Sequence, residues 1–207
     1  MILSGKNKRV NVLGAGGHAR SVIALLERCE YGVEGVYDDG FQQGTTELIA
    51  GIPLRGAIPP AGTHLVLALG NGAQRTQALL QYQDLVLENS VIDPSVIVTK
   101  DVSIGKYNLI MSRTVINTDA KIGDNNIINT GAIIEHECVI GNNNHISVGA
   151  ILCGRVILGN NCFLGAGTIV ADKISICNDV ITGAGAVVVK NITEPGTYVG
   201  CPAKKIK

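Results

Sequence analysis

Four histidines (His18, His64, His136 and His145) are the side chains of this sequence whose ordinary pKa lies near neutrality, and one has a setting for chemistry. His136 lies in Ile134-Glu135-His136-Glu137-Cys138, between two carboxylates. An imidazole oriented by a carboxylate is a ready general base, since its unperturbed pKa of about 6.5 needs little adjustment. An exposed histidine on a polar face is the alternative. A second group stands near the N-terminus, where Gly14, Gly16 and Ala19 satisfy G-x-G-x-x-G/A and Asp38 follows about 20 residues on. Amides of such a turn and of the helix it opens hold phosphate, and the carboxylate meets a ribose or base. Glycines that only tighten a turn would give the same pattern. His18, at the helix start, would stand near a bound phosphate or sugar, whereas His64 opens a strand and is assigned no role.

Two kinds of chain must position these groups. Every sixth residue from Ile92 to Val188 is aliphatic, with Thr182 the exception, and the residue four further on is mostly small, as at Ala120, Ala132, Cys138, Ala150, Cys162, Thr168 and Ala186. Neither helix nor strand periodicity gives this spacing, whereas hexapeptide repeats signify a β-helix around one aliphatic core. Gly105, Gly123, Gly141 and Gly159 recur every eighteen residues, as do Gly131, Gly149, Gly167 and Gly185, so three hexads make one coil of a triangular prism. Asparagine and glycine crowd the expected corners because they tolerate the left-handed backbone. Counting in eighteens puts Gly154 beside His136, one coil along. It sends His145, half a coil away, to the far side of the prism, so the two can meet only across a subunit boundary. A site between subunits of a threefold ring is expected.

Before the ladder, strands at Arg9 to Leu13, Val33 to Tyr37 and His64 to Leu69 alternate with helices from His18 to Cys29 and through Leu80. This order reads as a small parallel α/β domain over residues 1–88, followed by the β-helix over 89–207. A dinucleotide fold needs two halves, and this segment supplies one, enough for one nucleotide. Formal net charge is zero and no basic cluster occurs, which argues against nucleic acid or an anionic membrane surface. No apolar run approaches the roughly 20 residues of a membrane span, and the opening residues lack the apolar stretch of a signal peptide. Six cysteines show no CxxC pair or disulfide-scaffold spacing, so a reducing cytoplasm is expected. Cys153, beside Gly154, is the thiol to check for a nucleophilic role.

Together with the ladder, the motifs GAGGHA, DD after the second strand, LGNGAQR, NTGAIIEHECVIGNNNHISVGA and YVGCPAKKI resemble the bacterial left-handed β-helix sugar acetyltransferases of the sialic acid O-acetyltransferase type. Within these, the sequence is most similar to the PglD-like N-acetyltransferases of nucleotide-linked 4-amino-4,6-dideoxy sugars. The resemblance spans nearly the whole chain. It implies acetyl-CoA as cosubstrate, no metal, a homotrimer with sites between subunits, and a role in making sugars for surface glycans. It also implies His136 as base and Glu137 as its orienting group, although the EHE segment alone leaves Glu135 open. Asn129 and His145 would line the site and Gly154 would meet the thioester carbonyl, with Ala166, Gly183, Ala184, Pro202 and Lys204 holding the rest of the coenzyme. Gly14, Gly16, Gly17 and His18 would meet the phosphates or sugar, Asp38 and Asp39 the nucleoside, and Gly70 and Asn71 would complete that site. Gly16 stands where similar proteins carry serine, which leaves UDP, dTDP and GDP open. O-acetylation of sialic acid, a non-catalytic nucleotide-sugar scaffold and a zinc carbonic anhydrase are the competing readings.

Overall fold

The computed structural model describes residues 8–44 and 46–207; most of the opening segment, read above for a signal peptide, lies outside the described residues. The first unit contains β1 (Arg9–Leu13), α1 (Gly17–Arg28), β2 (Gly32–Tyr37), β3 (Leu48–Ile49), β4 (Ile52–Gly56), β5 (Leu65–Leu67) and α2 (Gly72–Gln81). Its sheet runs β3-β4-β2-β1-β5, parallel except for the β3/β4 pair. Helix α1 buries Ala19, Val22, Ile23, Leu25 and Leu26, the periodic apolar set. The β3/β4 hairpin departs from the expected order. Its turn uses Ala50 and Gly51, both at positive φ, and Pro53 lies in β4, so neither the turn residue nor the strand composition carries a hairpin signature.

From Val91 onward the chain is a left-handed parallel β-helix of mostly two-residue strands on three faces. One face, which we call aliphatic, stacks strands at Ile97, Val115, Ile133, Ile151, Ile169 and Val187. A mixed face stacks Ser103, Lys121, Val139, Ile157 and Ser175. A docking face stacks Val91, Leu109, Ile127, His145, Phe163 and Ile181. Pairing is eighteen residues apart throughout this stack, as in Ile116 with Ile134 and Ile134 with Leu152, so each aliphatic residue sits directly on the next inside the column. On the docking face even the outward Val91, Leu109 and Ile127 are buried, because α1 and the first sheet pack against them. The strand Gly196–Val199 closes the column parallel to Val180–Thr182, and Lys204–Lys205 returns antiparallel to it.

The two glycine series have different causes. Gly131, Gly149, Gly167 and Gly185 have φ near +65° to +69°, as the corner reading requires. Gly105, Gly123, Gly141 and Gly159 do not have positive φ. A Cβ at Gly123 would stand 2.3 Å from Asn142 Oδ1, and Gly105, Gly141 and Gly159 face the same obstruction from Asp124, Asn160 and Asn178. Those oxygens accept the N–H of the residue after each glycine of the preceding coil, from Lys106, Asp124, Asn142 and Asn160. This series therefore leaves room for a side-chain ladder. A second ladder, Asn108, Asn126 and Asn144, is fully buried at the small inward position, each Oδ1 accepting the next coil's backbone N–H. Thr182 replaces an aliphatic residue without an orphaned hydroxyl, since Oγ1 lies 2.8 Å from Thr168 Oγ1 and accepts the Gly165 N–H.

Candidate active site

The edge between the aliphatic and mixed faces carries His136. Its Nδ1 lies 3.0 Å from Glu137 Oε2, and the same oxygen accepts from Arg155 Nε at 3.0 Å. Of the two flanking carboxylates, Glu137 is the one within hydrogen-bond distance of the ring. The hydrogen bond from His136, joined by Arg155, holds the Glu137 carboxyl below its ordinary range. Arg155 was absent from the expected residues, yet it stands eighteen beyond Glu137 and the same coil arithmetic finds it. Gly154 lies against the His136 ring: a Cβ there would stand 2.6 Å from both Cε1 and Nε2 and 3.1 Å from Asp172 Oδ1. Only glycine leaves that nitrogen clear. The Gly154 N–H donates to no acceptor among the described residues, so it is free for a ligand oxygen.

The remaining expected coenzyme residues occupy other edges. Asn129, Ala166, Gly183 and Ala184 lie on the edge between the docking and aliphatic faces, with the Ala166 carbonyl accepting the Gly185 N–H one coil on. Pro202 and Lys204 belong to the tail folded over the last coil, where Ala203 N donates to the Val187 carbonyl. His145 opens a strand of the docking face and faces the first unit. Its Nδ1 is 3.2 Å from the Gly70 carbonyl and its Nε2 is 3.2 Å from Asn129 Nδ2. The bonding therefore makes Nδ1 the donor and Nε2 the acceptor of a neutral ring. Burial lowers the His145 pKa, and the nearby Arg75 cation adds to this.

At the carboxyl ends of β1, β2 and β5 a cleft of about 650 Å³ is lined by Gly14, Gly16, Gly17, His18, Asp38, Asp39 and Gly70, together with Ile58, Gln74, Gln77 and Tyr82. Seven expected substrate residues thus converge. Asn71 does not line the cleft; its side chain caps α2 by accepting the Gln74 N–H at 3.1 Å. Asp38 is also engaged: Oδ2 accepts the Ala15 N–H at 2.7 Å and Oδ1 the Gly40 N–H at 2.9 Å, so it fixes the glycine turn. Asp39 is exposed and faces the cleft. The His18 ring lies 5.8 Å from that of His145, and its buried Nε2 has no hydrogen-bond partner among the described residues. Burial, then His145 and Arg75, push its pKa down to about 4. His145 meets Phe163 edge-on at 5.0 Å, extending this ring contact along the docking face.

Among the described residues no group of three or more His, Cys, Asp or Glu could hold a metal ion, and the ligand set of a zinc carbonic anhydrase is not assembled there. No helix of the described residues is long and apolar enough to cross a membrane. All six cysteines are free, and burial pushes the Cys138 and Cys162 thiols up to about 11.

Fold and site define an acetyltransferase built on a left-handed β-helix. The family described as PglD N-terminal domain matches residues 9–81. Among solved structures, PerB from Caulobacter crescentus, in complex with CoA and GDP-perosamine, is 31% identical over 97% of this chain and 98% of its own, with a TM-score of 0.86. The acetyltransferase domain of PglB from Neisseria gonorrhoeae is 28% identical over 97% and 100% of the two chains, with a TM-score of 0.86. WeeI from Acinetobacter baumannii, 24% identical over 96% and 100% with a TM-score of 0.84, shares the fold. Comparison with curated proteins finds no match. The chain belongs to the PglD-like family of sugar N-acetyltransferases.

Proposed function

We propose that this chain transfers the acetyl group of acetyl-CoA to the 4-amino group of a nucleotide-linked 4-amino-4,6-dideoxy sugar, directly and with His136 as general base. The observation that carries the reading is the His136 ring, tied by Nδ1 to Glu137, with Nε2 kept clear by Gly154. The amine nitrogen attacks the thioester carbonyl, and His136 Nε2 takes its proton. The carbonyl oxygen becomes an oxyanion that accepts from the Gly154 N–H, a donor already in place. Collapse breaks the C–S bond, and the imidazolium returns the proton to the departing CoA sulfur. No acyl-enzyme is needed. Crystals of PerB with CoA and GDP-perosamine, including histidine-to-asparagine and histidine-to-alanine variants, support this substrate class.

The residues assigned to coenzyme lie on two different edges of one column, His136 and Gly154 on one and Asn129, Ala166 and Ala184 on another. A second copy would bring unlike edges together into one groove. The aliphatic face between those edges, with Ile97 and Ile169 exposed, is suited to such packing, which supports a homotrimer. Six free thiols fit a reducing cytoplasm. The test is thiol release from acetyl-CoA with UDP-, dTDP- and GDP-linked 4-amino sugars, and with sialic acid, for wild type and His136→Ala. Release with one or more nucleotide-linked amino sugars, lost in the variant, is expected. Release with sialic acid alone, or wild-type turnover in His136→Ala, overturns the reading.

A further inference from the structure

Arg75, in α2, is the largest fully buried side chain, and among the described residues it has no carboxylate partner. Its guanidinium instead donates to backbone carbonyls of both units. Nη1 reaches Leu69 at 3.0 Å and Gly70 at 3.4 Å, on the loop before α2. Nε reaches Asn125 at 3.2 Å, and Nη2 reaches Asn143 and Asn144 at 3.2 and 3.4 Å, on successive coils of the β-helix. Asn143 Nδ2 donates back to the Gly72 carbonyl at 3.1 Å.

Burying a cation without an opposite charge carries a desolvation cost that carbonyl partners offset only in part, so this junction is a poor way to gain adhesion alone. Adhesion is supplied elsewhere, by α1 against Val91, Leu109 and Ile127. A planar fork with five N–H groups, shared between carbonyls of both units, specifies one relative placement. The Gly70 carbonyl is the shared point. It accepts from Arg75 and from His145, and Gly70 forms part of the cleft wall.

We propose that Arg75 is a positioning residue that sets the nucleotide unit against the β-helix and so fixes the Gly70 wall of the sugar-nucleotide cleft. The role assigned to the cleft rests on the functional reading above; the mechanical role of Arg75 does not. Arg75→Lys keeps the charge but loses the fork. The expected result is a rise of roughly tenfold or more in KM for the nucleotide amino sugar, with KM for acetyl-CoA and kcat within about threefold of wild type. Amide hydrogen exchange should quicken at Gln74 and Arg75 and at residues 143–145, without a general increase. Unchanged KM for the sugar with unchanged exchange overturns the proposal, as does an equal rise in both KM values, which indicates general loosening.

If Arg75→Lys does not fold, Gly72→Ala tests the same junction from the other side. Its added methyl would stand 3.2 Å from Asn143 Nδ2 and must displace the contact slightly. A smaller rise in the same KM supports the proposal, and no rise overturns it. If wild type releases no thiol with any nucleotide amino sugar, the functional reading fails, and local exchange in Arg75→Lys alone decides the positioning role.

Discussion

His136 and His145 stand nine residues apart in one repeating lattice, yet their surroundings make them different chemical groups. His136 projects from an edge that the first unit does not cover; its side chain is 45% exposed, one nitrogen is held by a carboxylate and the other is clear. In the reaction proposed above, that clear nitrogen is the one that takes the amine proton. His145 is held between the β-helix and the nucleotide unit, both nitrogens engaged by neutral groups and the ring flanked by His18 and Phe163. Desolvation and the adjacent Arg75 cation disfavour its charged form. In a solenoid the backbone is the same at every coil, so what docks on each face decides whether a histidine is left accessible or held between units.

The sharpest way to break this contrast is to remove each ring. His136→Ala should lower kcat by roughly 10² to 10⁴, with the acetyl-CoA dissociation constant little changed. Steady-state kinetics beside calorimetric titration of the coenzyme would measure both. Gly154→Ala should come next, at about 10² in kcat, because the new methyl falls on Cε1 and Nε2 and must push the ring away from Glu137 or from the substrate. Its thermal midpoint should move little, as the clash lies at an edge and the core is untouched. His145→Asn should instead raise KM for the sugar several-fold and leave kcat within about threefold. A loss of kcat in His145→Asn comparable to that in His136→Ala would erase the distinction.

Much of this is legible in the sequence. The ladder of aliphatic residues fixes the coil length at eighteen, and that number alone sets Gly154 against His136 and would have found Arg155 against Glu137. Other features were hidden for physical reasons. The Gly105 series looks like a set of conformational corners, but its need for glycine arises from side chains and backbone one coil away, a three-dimensional clash with no local signature. The Ala50-Gly51 hairpin uses a residue that seldom adopts positive φ. Asp38 and Asp39 read as equivalent nucleoside ligands, whereas the backbone turn places two amides on Asp38 and leaves Asp39 to the cleft. Arg75 belongs to the LGNGAQR motif, but nothing in a one-dimensional pattern says that an arginine will be buried on carbonyls of another unit.

The junction offers a last and milder test, because it has two arginines. Arg28 at the end of α1 forms a two-point contact with Asp93 in the first coil, Nε to Oδ2 at 2.6 Å and Nη2 to Oδ1 at 3.0 Å, with Ser95 adding two further donors to Oδ1. The hydrogen bonds from Arg28, followed by those from Ser95, hold the Asp93 carboxyl well below the usual carboxylate range. A carboxyl depressed in the folded state contributes its full stability above its unfolded pKa of about 4 and loses it as pH falls through that value towards the folded one. Arg28 is 53% exposed, so Asp93→Asn should cost less at pH 7 than breaking a fully buried pair would. Thermal melts from pH 7 to pH 3 should show the gap between wild type and variant narrowing below about pH 4. Because neither residue lines the cleft, KM for both substrates should stay at wild-type values at pH 7. A sugar KM that moved with Asp93 as it moves with Arg75 would mean that any loosening of the junction disturbs the cleft, and the special place given to the Gly70 wall would have to be withdrawn.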